Sequence, residues 1–118
     1  MSVNIYDNAN EMAKVLTQTE QYQAWETAFN AVQDDEKSKD LFKKFQTIQM
    51  TVQQMMQAQK TPTSEQEKEW DETAKEVQAD EKIKNLMSAE QVLNTLLGEV
   101  NDIVTKPVSE SYAAAHKA

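Results

Sequence analysis

Residues 32–42 read VQDDEKSKDLF and residues 77–87 read VQADEKIKNLM, so that seven of eleven positions are identical at an offset of 45. The same offset aligns Trp25 with Trp70 and extends into apolar positions further along the chain. These further pairs are Ile48 with Leu93, Val52 with Leu97, and Met55 with Val100. The main departure is Phe45, which aligns with Glu90. Self-similarity at one fixed offset predicts a unit used twice: a short helix, an Asp-Glu-Lys turn and a long helix.

An alternative origin for the repeat is that two helix starts acquired similar residues independently. Acidic residues are common in the first turn of a helix because they interact favourably with its dipole. The paired tryptophans and the extended apolar pattern favour duplication.

Along the rest of the chain, apolar residues recur every three or four positions, which is the spacing of α-helices. One Gly and two Pro among 118 residues leave few positions for strand turns, and helix-forming residues dominate. We therefore expect an all-α fold of about five helices. The predicted apolar stripes are Ile5, Ala9, Met12 and Leu16; Tyr22, Trp25, Phe29 and Val32; Leu41, Phe42, Phe45, Ile48, Val52, Met55 and Met56; Trp70, Ala74 and Val77; and Ile83, Leu86, Leu93, Leu97, Val100 and Val104.

Helix boundaries are predicted from capping residues and proline. The predicted N-caps are Asn4, Thr19, Asp34 or Asp35, Ser64 in a Ser64-x-x-Glu67 capping box, and Asp80. We expect the third helix to end at Lys60, before the break at Pro62, and the fifth to end at Pro107.

The predicted architecture is a long antiparallel helical hairpin, with the two long helices paired across the Pro62 turn and the short helices folded over their ends. Residues 1–107 are expected to form a single helical domain. Residues 108–118 are expected to be a frayed C-terminal tail.

Charge and composition exclude several classes of function. Twenty acidic residues against twelve lysines give a net charge of −8, which opposes binding to nucleic acid and to anionic membranes. No cysteine is present, which removes disulfides, thiolate nucleophiles and thiolate metal ligands. The first twenty residues show no export signal, and eighteen apolar residues never run together, so we expect a cytoplasmic protein.

Candidate chemistry is sparse, and the sequence predicts no catalytic residue, metal site or cofactor. The one histidine, His116, lies in the expected tail. Glu65, Glu69, Glu72 and Glu76 form a carboxylate stripe, which is read as a solvated face or, alternatively, as a site for a cation or a basic partner. Trp25 and Trp70 are more often core than interface at such positions.

Contact with other proteins is the function that the apolar pattern favours. Methionines near the end of the third helix suit an adaptable contact surface. The candidate interface consists of Ile48, Val52, Met55, Met56, Leu93, Leu97 and Val100. We predict a non-enzymatic homo-oligomeric interaction protein, with a dimer favoured and a further protein partner possible. The alternative is a helical bundle that binds a small ligand or a divalent cation.

Several segments, in their order and spacing, resemble a known family. They are NIYDNANEMAKVL at the start, VQDDEKSKDLFKKFQTIQ, the later Asp-Glu-Lys-Ile turn, and NDIVTKP near the end. Together they resemble the YheA-like branch of the YlbF/YmcA family of bacterial helical proteins. The resemblance implies a cytoplasmic protein of Gram-positive bacteria, built of long antiparallel helices and commonly oligomeric.

The resemblance also implies a regulatory setting. YlbF and YmcA act with YaaT in regulating competence, sporulation, biofilm formation and messenger RNA processing through ribonuclease Y. Those relatives carry cysteines associated with an iron–sulfur cluster. This chain has none, so no cluster-binding residue carries over.

Overall fold

Five α-helices account for most of the chain in the computed structural model, which describes residues 3–117. They are α1 (Ile5–Leu16), α2 (Glu20–Gln33), α3 (Glu36–Gln57), α4 (Ser64–Ala79) and α5 (Glu81–Lys117). The predicted all-α class with five helices is confirmed.

Each helix begins after a side chain that accepts a hydrogen bond from the first turn. Asn4, Thr19, Asp35 and Asp80 do so as predicted. Helix α4 begins one residue earlier than predicted. Its capping box joins the Thr63 hydroxyl to the Gln66 backbone N–H at 3.1 Å, and the Gln66 side chain accepts from the Thr63 backbone N–H at 2.9 Å. Thr63-x-x-Gln66 and Ser64-x-x-Glu67 both satisfy the capping pattern, so the sequence could not choose between them.

Helix α3 ends at Gln57 instead of Lys60 because the chain closes a hydrogen-bonded reverse turn there. The Lys60 N–H donates to the Met55 carbonyl at 2.9 Å, and the Gln59 N–H donates to the Met56 carbonyl at 3.2 Å. Gln59 itself has φ of 56°, in the left-handed region. These are the bonds of a Schellman motif, a helix ending that usually places glycine at the left-handed position.

The prediction that Pro107 ends the fifth helix is wrong, because residues 108–117 are helical. Proline cannot donate to the carbonyl of Ile103, and its ring crowds the preceding turn. This part of α5 is exposed, so water can bond the released carbonyl. The helix also gains a bond beyond the proline, from the Ser111 hydroxyl to the Pro107 carbonyl at 3.0 Å. Residue 118 lies outside the described residues, and the division into a single domain and a tail stays a prediction.

The short helix of each repeat unit packs on the long helix of the other unit. The most extensive contacts are between α2 and α5, followed by those between α3 and α4, while α3 and α5 meet over a small area. The antiparallel hairpin across Pro62 is therefore formed by α3 with α4, and the long helices are not its two arms. The Trp25 and Phe29 rings on α2 pack against the buried core cluster, to which α5 contributes Ile83 and Leu86.

The core lies where these helices cross, and its positions repeat. The buried apolar residues are Val32, Leu41, Phe42, Val77, Ile83 and Leu86, and the buried polar residues are Ser38 and Thr73. The offset of 45 relates Val32 to Val77, Leu41 to Leu86, and Ser38 to Ile83. Equivalent residues of the two units thus fill one shared core, as the duplicated pattern predicts.

Candidate interaction surfaces

A polar joint holds together the N-termini of α3 and α5, next to the core. Asp35 and Asp80, the two N-caps, are equivalent residues of the repeat. The Lys82 ammonium lies 2.8 Å from Asp35 Oδ2, and the Ser38 hydroxyl donates to Asp80 Oδ2 at 2.6 Å. Each cap therefore ties its own helix to the other repeat unit.

Charge in the joint is balanced by direct contact. The hydrogen bond from Lys82 holds the pKa of the Asp35 carboxyl below its ordinary value of 3.8, and the Ser38 backbone N–H, which also donates to Asp35, adds to this. The same contact with Asp35 raises the pKa of Lys82 above its ordinary value of 10.5. Both groups are therefore charged at neutral pH.

An open groove of about 640 Å³ borders the joint. Both carboxylates and lysines line its walls, and Lys82 forms a salt bridge with Asp35 there. Among residues 3–117, no group of three or more His, Asp or Glu side chains is placed to hold a metal ion. The groove is a feature of the joint and does not form a recognisable catalytic arrangement.

The carboxylate stripe of α4 points into solvent. Glu65, Glu69, Glu72 and Glu76 are all exposed, and Glu69 lies 3.9 Å from the Lys44 ammonium. Carboxylates spread along one exposed face do not converge on a point, as coordination of a cation requires. The geometry gives no support to the alternative of a cation-binding bundle.

The α3 part of the predicted interface is partly covered. Ile48, Val52 and Met55 are half-buried, whereas 74% of Met56 is exposed. Met50, six residues earlier, is also exposed. The second half of α3 therefore presents methionine to solvent.

The α5 part of the predicted interface is half-buried at Leu93 and Val100 and exposed at Leu97. It lies on α5, whose most extensive contacts are with α2, whereas the α3 part lies on the helix whose most extensive contacts are with α4. Polar contacts between α3 and α5 occur at their first turns, at Ser38 and Asp80. The two parts therefore belong to different helix pairs.

Two apolar faces lie largely uncovered on the surface. The first, the α1 face, consists of Ile5, Ala9, Met12, Val15 and Leu16. The second, the distal α5 face, consists of Leu97, Val100, Val104 and Val108, with Ile103 and Tyr112 beside it. Apart from half-buried Leu16 and Val100, these residues are exposed. The sequence predicted the α1 stripe and placed Leu97 and Val100 in the candidate interface, but Pro107 was taken as the end of α5, so the second face was not extended to Val108.

The aromatic residues of α2 lie against the core, as the sequence favoured. Trp25 is half-buried and stacks on Phe29, with ring centroids 5.2 Å apart. Trp70 is half-buried on α4, and His116 is exposed in the last turn of α5. Within residues 3–117, no helix is both long and apolar enough to span a bilayer.

This helical arrangement has known relatives. The family model described as control of competence regulator ComK, YlbF/YmcA, matches residues 5–109. The chain belongs to the YlbF/YmcA family. A UPF0342 protein of Leuconostoc mesenteroides is 67% identical over 117 residues, covering 99% of this chain and 100% of the relative. Another, from Leuconostoc citreum, is 65% identical over 113 residues and covers 96% of each chain.

Solved structures of YlbF/YmcA-like proteins show the same fold. YheA from Bacillus subtilis is 31% identical, with a TM-score of 0.69 over 93% of this chain and 100% of that one. Bacillus subtilis RicA, solved in complex with RicF, is 22% identical, with a TM-score of 0.68 over 95% of this chain and 99% of that one. The resemblance to the YheA-like branch is thereby confirmed.

Proposed function

We propose that this YlbF/YmcA family member is a non-enzymatic, homo-oligomeric interaction protein with a regulatory or scaffold role. The observation that carries the proposal is the distribution of apolar side chains. Among residues 3–117, fourteen large apolar side chains are exposed while six apolar residues are buried. Single exposed apolar residues are ordinary, but faces of them along unpartnered helices are typical of surfaces that another protein covers.

The comparisons support the interaction role without specifying a partner. The description of the matching family names control of the competence regulator ComK. RicA, which shares the fold, has been solved in complex with RicF. A further protein partner is therefore part of the proposal. Direct binding of nucleic acid is not, since the chain carries a net charge of −8 and no arginine.

The proposed self-association surface is the α3 stripe or its α5 counterpart: Ile48, Val52, Met55 and Met56, or Leu93, Leu97 and Val100. A dimer is the favoured assembly, since twofold pairing is the commonest symmetry of homo-oligomers. We propose the cytoplasm as its compartment, which cell fractionation with a specific antibody would test.

Sedimentation of matched charge variants tests the surface. Leu97→Glu and Met56→Glu each place a carboxylate on one half of the proposed interface, and Gln53→Glu places one on the exposed polar side of α3. At least one of the first two variants should weaken self-association tenfold or more, because a desolvated, unpaired charge is unfavourable in an interface. Gln53→Glu should have little effect. Equal association by all three variants and the wild type would refute the proposed surface.

A further inference from the structure

The chain exposes far more surface than its mass requires. Its accessible surface is 9592 Å², whereas a compact monomer of this mass exposes roughly 6,500 Å². Its radius of gyration is 19.7 Å, against about 13.5 Å for a compact chain of this length. The surplus of roughly 3,000 Å² exceeds the approximately 800 Å² per partner of a standard protein interface. The fold therefore leaves enough uncovered surface for a stable dimer.

Much of the uncovered apolar surface lies on the two arms that leave the core. Helix α1 makes no extensive contact with any other described helix, and none of its residues is buried. Helix α5 is about 55 Å long at 1.5 Å per residue, close to the 56 Å length of the whole molecule. All of its residues from 101 to 117 are exposed.

We infer that the α1 face of one chain packs on the distal α5 face of a second copy, and reciprocally. This inference rests on the proposed self-association through the α5 counterpart, whose Leu97 and Val100 belong to the distal α5 face, and it names the α1 face as the surface that this face contacts. Both faces have apolar residues at steps of three and four, and residues 5–16 and 97–108 are both twelve residues long. A twofold arrangement covers all four faces at once, as an isologous dimer requires.

The charge distribution favours a second copy at these faces. The whole chain carries −8, but residues 5–16 have two acids and one lysine, and residues 97–108 also have two acids and one lysine. Each of the two faces therefore brings a charge of −1 to the contact. Two strongly acidic copies can meet there with little repulsion, because most of the negative charge lies elsewhere.

The turn between α1 and α2 is held by hydrogen bonds, and α1 makes no extensive contact with its own α5. The Thr19 hydroxyl donates to the Leu16 carbonyl at 2.7 Å and accepts from the Tyr22 N–H at 3.1 Å. The Gln18 and Thr19 N–H groups donate to the Val15 and Leu16 carbonyls at 2.9 and 3.1 Å. Four hydrogen bonds thus fix a three-residue linker, which favours an intermolecular partner for α1 over folding back.

Cross-linking tests this pairing directly, since the chain has no natural cysteine. Met12→Cys in one tagged chain and Val104→Cys in another place thiols on the two faces, at positions that are 44% and 53% exposed. The mixed variants are treated with a short flexible bis-maleimide after far-UV circular dichroism confirms native helicity. We expect a covalent heterodimer as the main product.

The matched control is the pair Asn10→Cys and Asp102→Cys, which lie on the opposite sides of the same helices. It should give at least tenfold less heterodimer. Equal yields from both pairs would overturn the inference. So would a cross-link within a single chain that carries both Met12→Cys and Val104→Cys. Light scattering of the untreated wild type distinguishes failure of this helix pairing from failure of self-association. A dimer without the expected cross-link refutes only the pairing, whereas a monomer refutes the proposed self-association as well.

Discussion

Gln59 adopts the left-handed backbone conformation in the turn that ends α3. Its φ of 56° is unfavourable for a residue with a Cβ atom but open to glycine. Gln59→Gly should therefore stabilise the fold by on the order of 0.5–1 kcal/mol, as measured by urea unfolding. The matched control, Gln53→Gly in the exposed interior of α3, should instead destabilise it by about 1 kcal/mol. A loss of stability in Gln59→Gly would argue against the left-handed turn.

The Asp35–Lys82 pair gives stability a defined pH dependence. Because the folded pKa of Asp35 is lowered, its contribution is complete above 3.8 and is lost as pH falls through the lowered value. Because the folded pKa of Lys82 is raised, its contribution is complete below 10.5 and is lost as pH rises through the raised value. Lys82→Met should thus lower the Tm near pH 7, and the difference from wild type should shrink below pH 3.8. A difference unchanged across this acid range would contradict the pairing.

At the scale of elements, the two repeat units should contribute alike to the shared core. Leu41 and Leu86 are equivalent residues and both are buried. Leu41→Ala and Leu86→Ala should each destabilise the fold by about 2–5 kcal/mol, because each leaves a cavity. Met87→Ala, at an exposed neighbouring position, should have a much smaller effect. Chemical unfolding of the three variants tests this, and a near-neutral change at either leucine would break the equivalence.

Helix α5 should gain order if its proline is removed. Alanine is about 3 kcal/mol more favourable than proline in a helix interior. Pro107→Ala should therefore slow amide hydrogen exchange in residues 108–117 and increase far-UV helical ellipticity. Val108→Ala, a neighbouring change without a proline, provides the control. Unchanged exchange in Pro107→Ala would mean that the proline does not limit this segment.

The elements differ in how far the sequence could predict them. Capping side chains and periodicity specified the start of four helices correctly, because these signals act within a few residues. The passage of α5 through Pro107 could not be predicted, since it depends on solvent reaching the carbonyl of Ile103. The pairing of α2 with α5 depends on contacts distant in sequence, and periodicity showed the α1 stripe without showing that no helix covers it. The residues of the predicted interface could be named, but their division between two helix pairs could not.

At the scale of the whole molecule, a charge of −8 should oppose self-association even where the contact faces are nearly neutral. Salt screens this repulsion, with a Debye length of about 10 Å at 0.1 M. The dimer should therefore tighten as sodium chloride rises from about 50 to 500 mM, which sedimentation can measure. Weakening by salt would instead indicate that ion pairs between the copies dominate the contact.

The elongated shape and the uncovered apolar faces both point to self-association of this molecule. Size-exclusion chromatography with light scattering of the wild-type chain, at tens of micromolar, measures the assembly mass most directly. We expect about twice the chain mass of 13.5 kDa. A mass of 13.5 kDa throughout the concentration range would contradict it.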